Sequence, residues 1–539
     1  MWCTTAIGIV FWGLLTTLKT TAMTAWHRAA STSPTNLLHH SSATSDPSSP
    51  SSYINSNEYH RDSEVSLVMS KLDDILLRST HKDENDDVDI KVNENISSST
   101  NITPTDIHVV VLVHGILGNA MELDYLKVAL EREAEDFIRV TSDIETCSAS
   151  SSTKVSPVLV YRVHSNVGKT LDGIAAGGTR IAEEINHLVQ KLHERFQHDN
   201  GNGNTDHPIP KVKISFVGHS LGGLYSRYAI SKIRWKTTTK TSGSNSQNNS
   251  NEDKSVSIGA YPKVFCTTAS PHLGLHQQSS IPVPRFVEQS IGLTLQESGR
   301  DLFRMTPLLN QMAMDPMFVQ PLLDFENRLT YVNAYGTDFQ VPAVTAAFVV
   351  DDEESIKHKR IFNDDDEDFV VLRLQTQQQE VTLKSSMDTS SVGADDGEQE
   401  SLLGDPLSIS NAMLARHLDS MGWTKVWIDV RSLIPSLNPL SSSSSISSEE
   451  TQQERDVQSI FGRAARNSEG NEDAAPDHLV TSKDVYQSEI SQRFDITRFP
   501  IGHTVMVANS KSETYANLNA GGRPIMDRLA KDMIKSIFR

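Results

Sequence analysis

The sequence predicts an α/β fold with a mostly parallel sheet covered by helices on both faces, and three observations predict it. Short, almost wholly apolar β-branched runs recur along the chain, as in strands buried on both faces. Between them lie segments with apolar residues at helical spacing. The alternation of the two is that of βαβ units. Ile107–Val113 is the first such strand, with only His108 polar, and Val158–Val163 the second. A helix follows over about 171–196, its apolar face drawn by Ile174, Ile181, Ile185, Leu188, Val189, Leu192 and Phe196. Val212–Val217 is a third strand, Leu221–Ile233 a helix and Val264–Thr268 a fourth strand. Residues 278–325 read as helical and methionine-rich. Leu329–Ala334 and Trp423–Val430 are further strands, the latter preceded by a helix with Met413, Leu414 and Leu418. Thr504–Ala508 is a short apolar run, and Ile525, Leu529, Met533, Ile534 and Ile537 mark a closing helix.

Composition sets the organisation. The chain has 539 residues, and stretches rich in Ser, Thr, Asn or acid dilute its apolar content to 37%. Removing them leaves roughly 300 residues able to form a core, the size of one large α/β domain. The expected layout is a targeting segment and low-complexity tail over 1–105, then a core over 106–348 with a helical cap at about 278–325 and a disordered insert at 236–257. An acidic disordered insertion spans 349–405, a core helix and strand 406–435, a second disordered insertion 436–492, and the C-terminal part of the core 493–539. In the tail, Val65, Val68, Met69, Leu72, Ile75 and Leu76 form one amphipathic helix standing alone. Long insertions between elements of one domain are tolerated because loop-closure entropy grows only logarithmically.

The net charge is −19, with 68 acidic against 49 basic residues, which argues against a nucleic-acid partner. Runs such as Asp351–Glu354 and Asp364–Asp368 repel themselves and stay solvated. Three cysteines, Cys3, Cys147 and Cys266, are too few for a disulfide framework or a four-thiolate metal site. Ala6–Leu15 is an apolar run of signal-peptide length, but no basic residue precedes it, and the Ser/Thr-rich, acid-free sequence up to Asp46 equally suits an organelle transit peptide. The compartment stays open between the secretory pathway, an organelle and membrane association.

The chemistry is carried by Gly218-His219-Ser220-Leu221-Gly222, a G-x-S-x-G string that leaves a predicted strand and enters a predicted helix. The turn needs Gly218 and Gly222, because side chains two residues before and after the serine would collide. It sets Ser220 at a helix N-terminus, where amides favour developing negative charge. Val113-His114-Gly115 ends the first strand, where the other oxyanion donor belongs. The backbone amides of Leu221 and of Ile116 or Leu117 are the expected oxyanion hole, with His114 and Gly115 structural at the site. A serine needs a base and an orienting acid, in the chain order serine, acid, histidine. Asp338 follows a strand and ranks above Asp324 and Asp351. Of His358, His417, His478 and His503, the last is favoured, on a loop joined to apolar sequence and the final helix. Met305, Met312, Met314 and Met317 in the cap suit either acyl-chain binding or plain core packing.

With these strings in view, the sequence resembles the putative serine esterase family of lipase-like α/β-hydrolases. The matching segments are Val111–Gly115, Thr170–Ile185, Gly218–Tyr228, Thr267–Gly274, Asn333–Pro342 and the surroundings of His503. The resemblance implies an α/β-hydrolase fold and a carboxylic ester hydrolase, acting on lipid acyl esters through Ser220 as nucleophile, Asp338 as acid and His503 as base. It implies no cofactor and no metal, an ester or lipid substrate, and contact with a membrane or lipid surface as an allowed partner. Two readings stand beside it: a lipid acyltransferase using the same triad, and a non-catalytic scaffold binding lipid or protein.

Overall fold

The computed structural model describes residues 51–81, 104–145, 156–199, 209–236, 259–277, 284–338, 340–349, 351, 353, 355–361, 367–379, 409–433, 479–491 and 502–539. The apolar run at 6–15, most of the insert at 236–257, Cys3, Cys147 and His478 lie outside the described residues. Everything below concerns the compact unit Ile54–Arg539.

In chain order, α1 (Ser51–His81) precedes β1 (Asp106–Val113), α2 (Asp124–Glu145), β2 (Val158–Arg162), α3 (Ile174–Asp199), β3 (Lys211–His219), α4 (Leu221–Ala229) and β4 (Tyr261–Thr268). Four short helices follow: α5 (Arg285–Thr294), α6 (Gln296–Leu302), α7 (Leu308–Met314) and α8 (Pro316–Leu323). Then come β5 (Asn327–Asn333), α9 (Ala343–Ala346), β6 (Lys357–Arg360), β7 (Val370–Gln375), α10 (Asn411–Asp419) and β8 (Thr424–Ile428). The chain closes with β9 (Leu479–Thr481), α11 (Ser482–Gln487), α12 (Gly502–Val505), α13 (Glu513–Leu518) and α14 (Arg523–Phe538).

The strands form one nine-stranded sheet in the order β2-β1-β3-β4-β5-β8-β7-β6-β9. The first six are mutually parallel, and β7, β6 and β9 extend the sheet antiparallel from β8. This is an α/β-hydrolase fold. Strand β1 shows why the sheet is covered on both faces. Val109, Val111 and Val113 join the core cluster shared with α3 and α4, while Val110 and Leu112 join the one shared with α2 and α14. Successive side chains of a strand point to opposite faces, so an unbroken apolar run needs two covers.

Three elements differ from the sequence reading. The helix α1 does not stand alone: Val65, Val68 and Leu72 are buried in the cluster that holds α3. Glu64, 4% exposed, binds Arg162 at 2.9 Å, and Asn57 donates to the Val167 carbonyl at 3.0 Å. Burial raises the Glu64 carboxyl, but hydrogen bonds from His164 and Arg162 and the Arg162 charge bring it down to about 2. Secondly, α2 went unread, although Leu126, Ala129, Leu130 and Ala134 bury one of its faces. Thirdly, the insertions expected to be disordered contain regular structure: β6 and β7 lie in 349–405, and β9 and α11 lie in 436–492, where pairing with β6 orders them. His358, read as part of the acidic insertion, is a buried residue of β6 with Nε2 2.9 Å from Asp419. Asp419 also pairs at 2.7 Å with the buried Lys425, so α10, β8 and the added strands share one interior charge cluster.

Because Leu72 is fully buried against α3, Leu72→Ala should lower unfolding stability by about 2–5 kcal/mol. Chemical denaturation of the full chain measures it, and an unchanged midpoint would show that α1 contributes nothing to the core.

Candidate active site

Strand β3 hands directly into α4, and Ser220 occupies the joint. Its φ of 55° and ψ of −127° place a non-glycine residue in left-handed backbone, a conformation costing about 1–3 kcal/mol that persists only where the surroundings impose it. The surroundings do so by close packing. A Cβ on Gly222 would lie 2.3 Å from the Val113 carbonyl oxygen and 2.6 Å from that of His114, and one on Gly218 would lie 2.6 Å from Cα of Gly223. The end of β1 is thereby pressed against the first turn of α4. The Ser220 amide donates to the Thr268 carbonyl at 2.9 Å, which fixes the turn to β4 as well.

The loop after β1 crosses above the serine. Gly115 touches it: a Cβ there would stand 2.9 Å from Cβ of Ser220. Of the two amides expected on this loop, that of Leu117 donates to Oγ1 of Thr170 at 2.9 Å, so it is already engaged. The amides of Ile116 and of Leu221, the first residue of α4, donate to no atom among the described residues. His114 is buried with Nδ1 3.1 Å from the Gly115 carbonyl, and burial pulls it down to about 4, so it stays neutral. It has the setting of a residue that shapes the loop.

Asp338 and His503 meet although 165 residues separate them. Oδ1 of Asp338 accepts the amides of Gln340 and Val341, each at 2.9 Å. Its Oδ2 accepts Nδ2 of Asn333 at 2.9 Å and Nδ1 of His503 at 2.8 Å. A carboxylate only accepts, so Nδ1 carries the imidazole proton and Nε2 is left with its lone pair. The approach depends on Gly502, where a Cβ would lie 2.5 Å from the Thr337 carbonyl oxygen. His503 sits on the short helix α12 instead of the predicted loop. Burial lowers its basicity, but the charge and hydrogen bond of Asp338, aided by the Glu122 charge, raise it above the ordinary 6.5. Its ring packs on that of His219, the neighbour of Ser220, with centroids 4.6 Å apart. No hydrogen bond joins Ser220 Oγ to His503 among the described residues, and such contacts often tighten only with substrate bound.

The other candidates are elsewhere. Asp324 and Asp351 are exposed, His417 is half-buried on α10, and His358 serves the Asp419 cluster. Ser220, Asp338 and His503 are only 6%, 2% and 4% exposed. Sequence reasoning missed Asn333, Thr170, His219 and Glu122 around them. Single polar residues in apolar runs or loops carry no periodic signal, so only packing reveals them.

Comparison with known proteins places this geometry. Residues 103–348 match the family described as "Putative serine esterase (DUF676)". The match covers just under half of the chain and is a likeness to that family. The family match takes in Ser220 and Asp338 and ends before His503. The chain is 26% identical over 274 residues to "Putative lipase YDR444W" and 27% identical over 256 residues to "Putative lipase ROG1", both from Saccharomyces cerevisiae. These alignments take in 47% and 46% of this chain but only 34% and 30% of the relatives, so the chain spans about a third of the length of the curated relatives it matches. A similar solved structure is "Phospholipase PlaB from Legionella pneumophila in complex with thio-NAD", at 14% identity, 42% of this chain, 38% of the other and a TM-score of 0.20, too low to bear on fold or function.

Since Gly222 is pressed against two carbonyl oxygens, Gly222→Ala should force β1 and α4 apart and cost about 1–3 kcal/mol of stability. Thermal unfolding of the variant checks this, and a wild-type melting temperature would refute the steric account of the turn.

Proposed function

We propose that the protein is a serine hydrolase of carboxylic esters, acting on lipid acyl esters through a covalent acyl-enzyme. The observation that carries this reading is the hydrogen bond between Asp338 and Nδ1 of His503, which fixes a neutral imidazole beside a serine held in strained backbone. Nε2 of His503 takes the Ser220 hydroxyl proton as Oγ attacks the ester carbonyl. Asp338 keeps the ring in its productive tautomer and stabilises the imidazolium. The free amides of Ile116 and Leu221 hold the oxyanion, each such donor being worth about 3 kcal/mol. His503 then returns the proton to the leaving alcohol, and water repeats the cycle on the acyl group.

The family match over residues 103–348 and the lipase names of the relatives support an ester hydrolase in general. The lipid preference has further support in the surroundings. Ser220 is only 6% exposed, so the nucleophile sits in a setting that excludes most water. Leu117 and Met121 beside the oxyanion loop are 59% and 44% exposed, and Phe286 on α5 is 68% exposed, apolar groups that suit an acyl chain or a lipid surface.

Labelling with a fluorophosphonate probe tests the reading. Wild type should label, and Ser220→Ala and His503→Ala should abolish labelling, with ester turnover falling by about 10⁴–10⁶-fold. Full labelling of Ser220→Ala would sink the assignment. The pH dependence has a definite sign. The base must be neutral, and His503 is raised above 6.5, so kcat/KM should rise with pH through a value above that of free imidazole. A limb below 6.5 would contradict the Asp338–His503 pairing.

A further inference from the structure

The reaction above uses one carboxylate, and a second lies buried beside it with no role. Glu122 belongs to the 3-10 turn Ala120–Leu123 and is 4% exposed. Its main chain joins two segments of the site: the carbonyl accepts the Ser510 amide at 3.2 Å, seven residues beyond His503. Its carboxyl lies against the loop above Ser220, where a Cβ on Gly118 would come within 1.9 Å of Oε2. Oε1 stands 3.5 Å from Nε2 of His219, whose ring packs on His503. One side chain therefore faces the oxyanion loop, the residue before the nucleophile and the side of the proposed base.

The ionisable groups around it are few. His503 faces it from α12 with Asp338 behind, His219 from the end of β3, Lys511 from the segment after α12, and His114 from the loop after β1. Asp124 lies two residues along the chain at the start of α2. His219 Nδ1 lies 3.2 Å from the Thr268 carbonyl oxygen and 3.1 Å from the Thr268 hydroxyl, which can donate or accept, so Thr268 serves either tautomer of the ring. An ionised Glu122 is drawn to His503 and Lys511. Burial raises the carboxyl to about 7, although the His503 and Lys511 charges and the Gly115 amide pull it back. The Glu122 charge in turn raises His503, so each group's charge acts on the other.

We propose that Glu122 is a positioning residue of the site, holding the oxyanion loop against Ser220 and, when ionised, stabilising the imidazolium of His503 while the acyl group transfers. The inference rests on the Ser220–His503 reading. It is tested with Glu122→Gln, which keeps the shape and removes the charge. The readouts are kcat/KM on a short p-nitrophenyl ester and fluorophosphonate labelling rate, both from pH 5 to 9. The expected result is a fall of about tenfold at pH 8, borne by kcat and not KM, with the acid limb about one pH unit lower. Glu122→Asp should recover part of both. A Glu122→Gln limb that coincides with wild type, whatever the rate, reduces Glu122 to a packing role and overturns the proposal. If Glu122→Gln does not fold, Glu122→Asp is read on the same axis, a displaced limb supporting and a coincident one overturning it. Wild type that fails to label, or labels without Ser220, brings down the hydrolase reading and this inference with it. Normal wild-type labelling with an unmoved variant limb removes the Glu122 role alone.

Discussion

The steric demand at the β3–α4 joint governs the rest of the site. Ser220 adopts a left-handed backbone that no side-chain interaction of its own repays, since its Oγ makes no hydrogen bond among the described residues. What holds it is the close approach of three backbones. The carbonyls of Val113 and His114 lie where a side chain at Gly222 would be, Gly223 lies where one at Gly218 would be, and Gly115 lies on Ser220 itself. The same contacts bring the loop after β1 over the serine, so the strain that lifts the hydroxyl and the position of the oxyanion amides have one origin. Strain of this kind is tolerated because the buried sheet on either side leaves the turn no alternative path.

The candidate acid and histidine are brought together from distant parts of the chain. Asp338 leaves the C-terminal end of β5, and His503 arrives from a chain that has meanwhile built β6, β7, α10, β8, β9 and α11. Loop closure over such a distance costs little more than over a short one, because the entropy grows as the logarithm of length. The cost is further offset where inserted segments pack. Asp419 binds both His358 and Lys425 in the interior, and Lys425 donates to the Ala347 carbonyl at 2.7 Å. These bonds tie the added strands to β8 and to α9, directly behind the acid loop. The insertion between acid and histidine is in part an extension of the sheet.

The elements readable from the sequence are those whose burial is periodic. All six parallel strands follow from apolar β-branched runs, and α3, α4 and α14 from stripes at helical spacing. The failures have physical causes. Strands β6 and β7 have mixed composition because they lie toward the edge of the sheet: β6 reads Lys-His-Lys-Arg and buries only His358. Helix α2 buries a narrow stripe of Leu and Ala between charged residues, and α1 has the right stripe but nothing in the sequence to say what covers it. For the site, Ser220, Asp338 and His503 were named from motif and chain order, and the structure joins the last two by a hydrogen bond. Asn333 and Glu122 were invisible because each acts through a fold-made neighbour. Either Ile116 or Leu117 was expected to offer its amide to the oxyanion, and sequence cannot reveal that Thr170 already holds that of Leu117.

That bond links the helical segment between β4 and β5, the proposed cap, to the loop after β1, the proposed oxyanion loop. Thr170 binds Leu117 through its hydroxyl, while its carbonyl accepts the hydroxyls of Ser298 at 2.8 Å and Tyr225 at 2.7 Å. Ser298 lies on α6 of the cap, where it also receives the Gly173 amide, and Asp301 of the same helix receives the Ile174 amide at the start of α3. The base of the cap is therefore bonded to the turn that steadies the loop above Ser220. A cap held this way cannot swing open as a whole without loosening Thr170 and hence the Leu117 amide. Helix α5 is tied down as well: its buried Glu288 accepts the Gln277 amide at 3.0 Å and pairs with His276 at 2.8 Å, and Arg285 donates to the Phe303 carbonyl at 2.9 Å, so α5 is fastened both to the segment after β4 and to the end of α6.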